Sequence, residues 1–164
     1  MDIRTESQIR WDNYFLSMSY FVAKKSKDPS TKCGTVIVGV DNEILTTGYN
    51  GLPRGIRDDL PERNERPVKY TWYEHGERNA IYNAARIGVA LKNSTAYINP
   101  CPCSDCARAL IQSGVKRCVW DQDNTFVTDP GKQARWKESM SYTMWMFNEC
   151  GMEVTIIKDF EKMV

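Results

Sequence analysis

The apolar positions along the chain follow two rhythms. Between residues 9 and 25, Trp11, Phe15, Met18, Phe21 and Val22 recur every three or four residues, the period of an amphipathic helix. A polar stretch, 26–32, gives way to an apolar, β-branched run, 33–40, which predicts a buried strand. Asp41-Asn42 is a turn signal, and 44–49 predicts the partner strand of a hairpin. The helical period returns at Ala80, Ile81, Ala84, Ala85 and Ile87 and stops at Gly88. A strand at 94–98, a helix at 104–113, a strand at 115–120, a polar loop at 122–131, a helix at 132–150 and a strand at 153–157 complete the series.

This order predicts a single α/β domain spanning 1–164. Its core would be a central mixed five-stranded sheet with helices on both faces, a three-layer α-β-α arrangement. The segment 50–73 carries many charges and the prolines Pro53, Pro61 and Pro67. Loops of this length are functional or disordered, so it is read as a loop lying over a site.

Composition narrows the classes. With 164 residues, 41% hydrophobic and 26% charged, the chain is long enough to bury its own core. Its 22 basic and 21 acidic residues leave a net charge of +1, where a dedicated nucleic-acid binder would be clearly basic. No apolar run reaches the length of a membrane span, and Met1–Arg10 is polar rather than signal-like, so a cytoplasmic location is expected. In that compartment the 6 cysteines are metal ligands or buried thiols rather than disulfides.

The chain has 1 histidine, and the segment His75-Gly76-Glu77 opens a predicted helix. Pro102-Cys103-Ser104-Asp105-Cys106 opens another. Helix N-termini carry partial positive charge, which favours thiolates. Cys103 and Cys106, three apart, share one helical face, and Pro102 suits the helix entry. One imidazole and two thiolates make a three-ligand Zn²⁺ site whose fourth position stays open to water, the pattern of a catalytic rather than a structural zinc. Glu77, two residues from His75, can reach that water without binding the metal. Cys101 offers an alternative thiol, although Cys103 alone has both the preceding proline and the one-turn spacing to Cys106. Cys33, Cys118 and Cys150 fall in strand or helix patterns and are expected in the core. Trp136, Met140, Thr143 and Phe147 lie at helical spacing, which favours core or subunit packing over base stacking.

At these residues the sequence resembles the deoxycytidylate (dCMP) deaminase family of the cytidine deaminase superfamily. H-x-E followed by P-C-x-x-C is the zinc deaminase signature. The match extends to Asp28-Pro29-Ser30-Thr31-Lys32, to the glycine-rich loop Gly48–Gly55, and to Cys106–Gly114. Gly76 departs from the alanine common in the family, and 121–129 lacks the tyrosine-containing segment common in this branch. Without a spare histidine, a second structural zinc is not expected.

The resemblance implies a cytidine deaminase-like fold and one Zn²⁺ held by His75, Cys103 and Cys106. It implies hydrolysis of dCMP to dUMP and ammonia, with Glu77 moving the protons, and so a supply of dUMP for thymidylate synthesis. Substrate contacts are implied for Asn50, Gly51, Arg54, Arg78, Asn79 and Pro102, with Asn50 on the sugar. Arg54, Arg57, Lys69 and Arg78 are candidates for the phosphate by location. Relatives are regulated by dCTP and dTTP, with Mg²⁺ accompanying the triphosphate, and assemble as homo-oligomers, often hexamers. Competing readings are deamination of CMP, cytidine, a 5-substituted dCMP, guanine or adenosine in tRNA, editing of nucleic acid, and a zinc-stabilised domain without activity.

Overall fold

A computed structural model describes residues 4–124 and 129–163. Five strands form one sheet: β1 (Gly34–Val38), β2 (Ile44–Tyr49), β3 (Thr95–Ile98), β4 (Arg117–Asp121) and β5 (Glu153–Ile157). Their order is β2-β1-β3-β4-β5. β1 runs antiparallel to both β2 and β3, whereas β3, β4 and β5 are mutually parallel, so the sheet is mixed as expected. The helices are α1 (Glu6–Ala23), α2 (Lys69–Trp72), α3 (Gly76–Ile87), α4 (Ser104–Gln112) and α5 (Pro130–Glu149).

Period-two alternation sends each strand's side chains to opposite layers. Val36, Val38, Tyr97, Val119 and Ile157 meet Phe15 and Leu16 of α1 on one face. Ile37, Ala96, Ile98, Cys118 and Trp120 meet Ala80 and Ala84 of α3, Ala107 and Leu110 of α4 and Phe147 of α5 on the other. All five residues of β1 are buried, as befits the strand beneath both layers. Gly48 sets the α3–β2 spacing: a Cβ there would lie 2.3 Å from both the Ala80 nitrogen and the Gly76 oxygen. Backbone this close excludes any larger residue.

Several expectations need correction. Trp11 and Phe21 do not face the core; they are 41% and 61% exposed. The inward face of α1 instead carries Asp12, Phe15, Leu16 and Ser19. Asp12 is tolerated there because Arg117 grips it with two bonds of 2.8 and 2.7 Å, Arg4 adds one of 2.7 Å and the Tyr97 hydroxyl donates at 3.0 Å. α1 begins at Glu6, earlier than the periodicity indicated, because Thr5 and Gln8 form a reciprocal capping box. The segment 50–73 is not wholly irregular; it holds a 3₁₀ turn, Pro61–Asn64, and the single turn of α2. α5 begins at Pro130, capped by the Asp129 side chain. Cys150 is exposed and Cys33 half-buried, so of the three cysteines expected in the core only Cys118 lies there. Part of the 122–131 loop lies outside the described residues.

Candidate metal centre and substrate cleft

The site forms where two helix N-termini converge at the carboxyl ends of the parallel strands, the position α/β sheets favour for ligands. His75 is the N-cap of α3 and Cys103 the N-cap of α4, both in extended backbone. Neither side chain caps its own helix; the two point at each other instead. The start of α3 is pinned by a short bridge in which Gly51 and Glu74 exchange backbone hydrogen bonds of 3.0 and 2.9 Å. The start of α4 is pinned through Pro102, whose carbonyl accepts from the Thr143 hydroxyl at 3.0 Å. A Cβ at Gly76 would come 3.3 Å from Cys33 O, Gly48 O and Thr35 Oγ1, so alanine would fit there after small shifts.

His75 Nδ1 lies 3.4 Å from Cys103 Sγ and 3.5 Å from Cys106 Sγ. Zinc–nitrogen and zinc–sulfur bonds of about 2.05 and 2.3 Å at a tetrahedral angle would separate N from S by about 3.6 Å. The donor set therefore already has the spacing of a tetrahedral zinc shell. All three donor atoms lie within 4.8 Å of one another, and among the described residues no other His, Cys, Asp or Glu joins them. Cys101 turns away, its thiol toward the Pro102 carbonyl.

The electrostatics agree with that role. A hydrogen bond from the Cys106 thiol, aided by His75, holds Cys103 down at about 4 despite burial. The same bond, with burial, pushes Cys106 up. One proton thus remains between two sulfurs, and a divalent metal would displace it. Arg78 stands beside Cys106, Nη1 to Sγ 3.9 Å, and is itself held by Glu74 at 2.6 Å. Glu77 is buried next to the three donors without joining them. Burial raises its carboxyl pKa, and the nearby His75 charge pulls it part of the way back. A carboxyl tuned upward and within a cleft suits a group that both accepts and returns protons near neutrality.

That cleft is partly open to solvent, and Asn50, Lys69, His75, Glu77, Cys103 and Trp136 are among the residues that line it. Asn50 lies in its wall, fixed by three bonds: Oδ1 accepts from Cys33 N at 2.7 Å, and Nδ2 donates to Asp28 Oδ2 at 3.0 Å and Thr31 O at 2.8 Å. Lys69 and Asp28 form a buried ion pair beside it, and Lys69 also donates to Ser30 Oγ at 2.7 Å. Burial pushes the Asp28 carboxyl up, but Lys69 and the backbone N–H groups of Ser30 and Thr31 more than reverse this and hold it low. The pair ties the 50–73 segment to the α1–β1 loop. Removing one partner of a buried pair costs about 3–5 kcal/mol. Lys69→Met should therefore lower the unfolding free energy by about 3 kcal/mol, with part recovered in Asp28→Asn/Lys69→Met, as measured by urea denaturation. Because the folded carboxyl lies below its unfolded value of about 3.9, the pair stabilises fully above that pH and loses its effect as pH falls.

The other residues singled out in the sequence are placed as follows. Gly51 shapes the backbone ahead of His75, and Asn79 clips α3 to β2 by donating to Tyr49 O at 2.8 Å. Arg54 is exposed and bonded to Asn83. Arg57 is paired with Asp59 at 2.9 Å. None of these four, nor Arg78 or Pro102, forms part of the cleft wall; Asn50, Lys69, His75, Glu77 and Cys103 do. Sequence reasoning missed the contribution of α5. Lys132, Trp136 and Met140, four apart on one helical face, line the cleft together with Arg135 and Tyr70. Trp136 sits edge-on to both His75 and Tyr70, with ring centroids 6.1 Å apart in each case. The stripe expected in core or subunit packing therefore divides: Thr143 and Phe147 are buried in the core, Met140 packs against the core and also lines the cleft, and Trp136 lines the cleft. The four-residue spacing was visible, but not which end of the helix overhung a cavity.

Comparison with known proteins agrees with this geometry. The model of the cytidine and deoxycytidylate deaminase zinc-binding region matches residues 9–122. The human deoxycytidylate deaminase is 35% identical over 137 residues, covering 80% of this chain and 76% of its own. An uncharacterized deaminase from the luxG 3′ region of Aliivibrio fischeri is 35% identical over 147 residues, covering 89% and 92%. In structure, the apo dCMP deaminase of cyanophage S-TIM5 superposes with a TM-score of 0.68 at 20% identity, over 93% of this chain and 100% of that one, a likeness of fold. With the family's zinc-binding region matched across most of its length and the three donors at zinc spacing, the chain belongs to the cytidine and deoxycytidylate deaminase family.

Proposed function

We propose that this protein deaminates dCMP to dUMP and ammonia. The observation that carries the reading is the buried Glu77, set beside a His-Cys-Cys donor set that it does not join, in the wall of a cleft open to solvent. The relatives named for dCMP deamination, at 35% identity, direct the choice of substrate.

His75, Cys103 and Cys106 would hold Zn²⁺, which when bound lowers the pKa of a coordinated water toward neutrality. Glu77 would take one proton from the attacking water and pass it to N3 as the oxygen adds to cytosine C4. It would then carry the remaining hydroxyl proton to the amino group, which leaves C4 as ammonia. Arg78 keeps its positive charge against Cys106 and stabilises the thiolate. Trp136, Tyr70 and Met140 exclude water above the base. Asn50, its Nδ2 hydrogens taken by Asp28 and Thr31, would meet the sugar through Oδ1.

The same reading carries a supply of dUMP for thymidylate synthesis. It extends to a cytoplasmic homo-oligomer regulated by dCTP and dTTP with Mg²⁺. Tyr142, Met144 and Trp145, exposed on α5, offer apolar surface for self-association. No helix among the described residues is long and apolar enough to cross a membrane.

Ammonia release from dCMP, CMP, deoxycytidine, cytidine and a 5-substituted dCMP tests the assignment. A site whose polar groups are left without partners by a truncated ligand rejects it strongly, so kcat/KM for dCMP should exceed that for deoxycytidine by about 100-fold or more. Equal values for the two compounds would remove the nucleotide assignment and leave the deaminase one.

A further inference from the structure

A second cavity opens beside the first and shares Thr31, Cys33, Pro100 and Lys132 with it. Its walls carry the four lysines Lys24, Lys32, Lys132 and Lys162, and among the described residues no carboxylate lines it. In a chain of net charge +1, that is a local concentration of positive charge. Lys162 and Lys24 rest over the Tyr20 and Phe21 rings. Lys32 and Lys132 make no ion pair with any described residue. The candidates named from the sequence differ: Arg57 pairs with Asp59, Lys69 with Asp28, Arg78 with Glu74, and Arg54 is bonded to Asn83. Desolvating a charge already matched by a carboxylate gives an incoming anion little, whereas an unmatched lysine beside a low-dielectric wall attracts it.

We infer that this lysine-lined cavity is the 5′-phosphate subsite, with Lys132 of α5 as the contact at the junction of the two cavities. The inference rests on the reading of a 5′-phosphorylated cytosine nucleotide as substrate. It follows from the layout of such a ligand. Its phosphate lies at the opposite end from C4, so a base seated at Glu77 directs the phosphate outward, and Lys132 borders both compartments. Lys132 is followed on the same face by Trp136 and Met140, so α5 would hold the phosphate and roof the base with one rigid element. Thr31, which also lines this cavity, adds a hydroxyl group able to donate to a phosphate oxygen.

The test compares Lys132→Gln with the parent on dCMP and on deoxycytidine. Lys137→Gln, on the same helix but outside both cavities, serves as control. A charge-assisted bond to phosphate corresponds to about 10- to 100-fold in affinity. Lys132→Gln should lose that factor in kcat/KM for dCMP, chiefly through KM, and lose markedly less on deoxycytidine, so that the preference for dCMP shrinks. Binding of dUMP and deoxyuridine, followed by calorimetry, should show the same difference without turnover. Lys132→Arg should restore most of the loss. An equal loss on both substrates, or a dCMP preference left intact in Lys132→Gln, overturns the inference while leaving dCMP deamination standing. A parent with no preference for the phosphorylated compound in either measurement overturns both.

Discussion

Replacing Glu77 by glutamine should reduce kcat by about 10⁴-fold while leaving bound zinc and thermal stability near those of the parent. Glutamine keeps the shape of the side chain and can still hydrogen-bond a water, but it can neither accept nor return a proton. General acid–base groups contribute about 10²–10⁴-fold. Glu77 is expected at the top of that range, because the reaction asks it to move a proton from water, to N3 and to the leaving amine in one turnover. Its position is consistent with that role, since it is buried beside the donor set without belonging to it. The decisive pair of measurements is kcat and zinc content on one preparation. Turnover within about tenfold of the parent would remove the shuttle role. Loss of zinc would instead make Glu77 a ligand and close the open coordination position.

The second large effect concerns the donors. Cys103→Ala should abolish zinc binding that in the parent approaches one ion per chain, and with it activity and any stabilisation by added zinc. Cys101→Ala should keep the metal. The contrast is sharp because the two thiols are only two residues apart and both line the cleft. Cys103 lies 3.4 Å from His75 Nδ1 and is held as a thiolate near 4, whereas burial pushes Cys101 up to about 12 and its thiol turns to the Pro102 carbonyl. The Cys101 thiol stands outside the cluster that His75, Cys103 and Cys106 form. Metal analysis of both variants, with Cys106→Ala beside them, checks the assignment. Zinc retained in Cys103→Ala and lost in Cys101→Ala would transfer the ligand role.

The chemistry of the donor set was legible along the chain because it is short-range. Two cysteines one turn apart, a proline before them, and a glutamate two residues past the only histidine are arrangements that a helix start imposes locally, whatever surrounds it. The strands were legible for a similar reason: the run Gly34–Val38 carries no charge and is rich in β-branched residues, which suits a strand buried on both faces. What the tertiary structure alone decided is how each charge is matched. The apolar period of α1 grouped Trp11 and Phe21 with Phe15, whereas the buried face carries Asp12. Arg117, from a distant strand, and Arg4, just ahead of the helix, neutralise it and make its burial tolerable. Arg54, Arg57, Lys69 and Arg78 looked available to a phosphate for the converse reason, since a sequence shows a cation but not the group facing it. Lys132 and Trp136 carry no local signal, because they become part of the cleft only when α5 packs back across the sheet and brings its first turns beside His75, more than fifty residues away. Helical and strand periods depend on neighbours a few residues apart, whereas neutralisation and cavity lining depend on contacts closed by the whole fold.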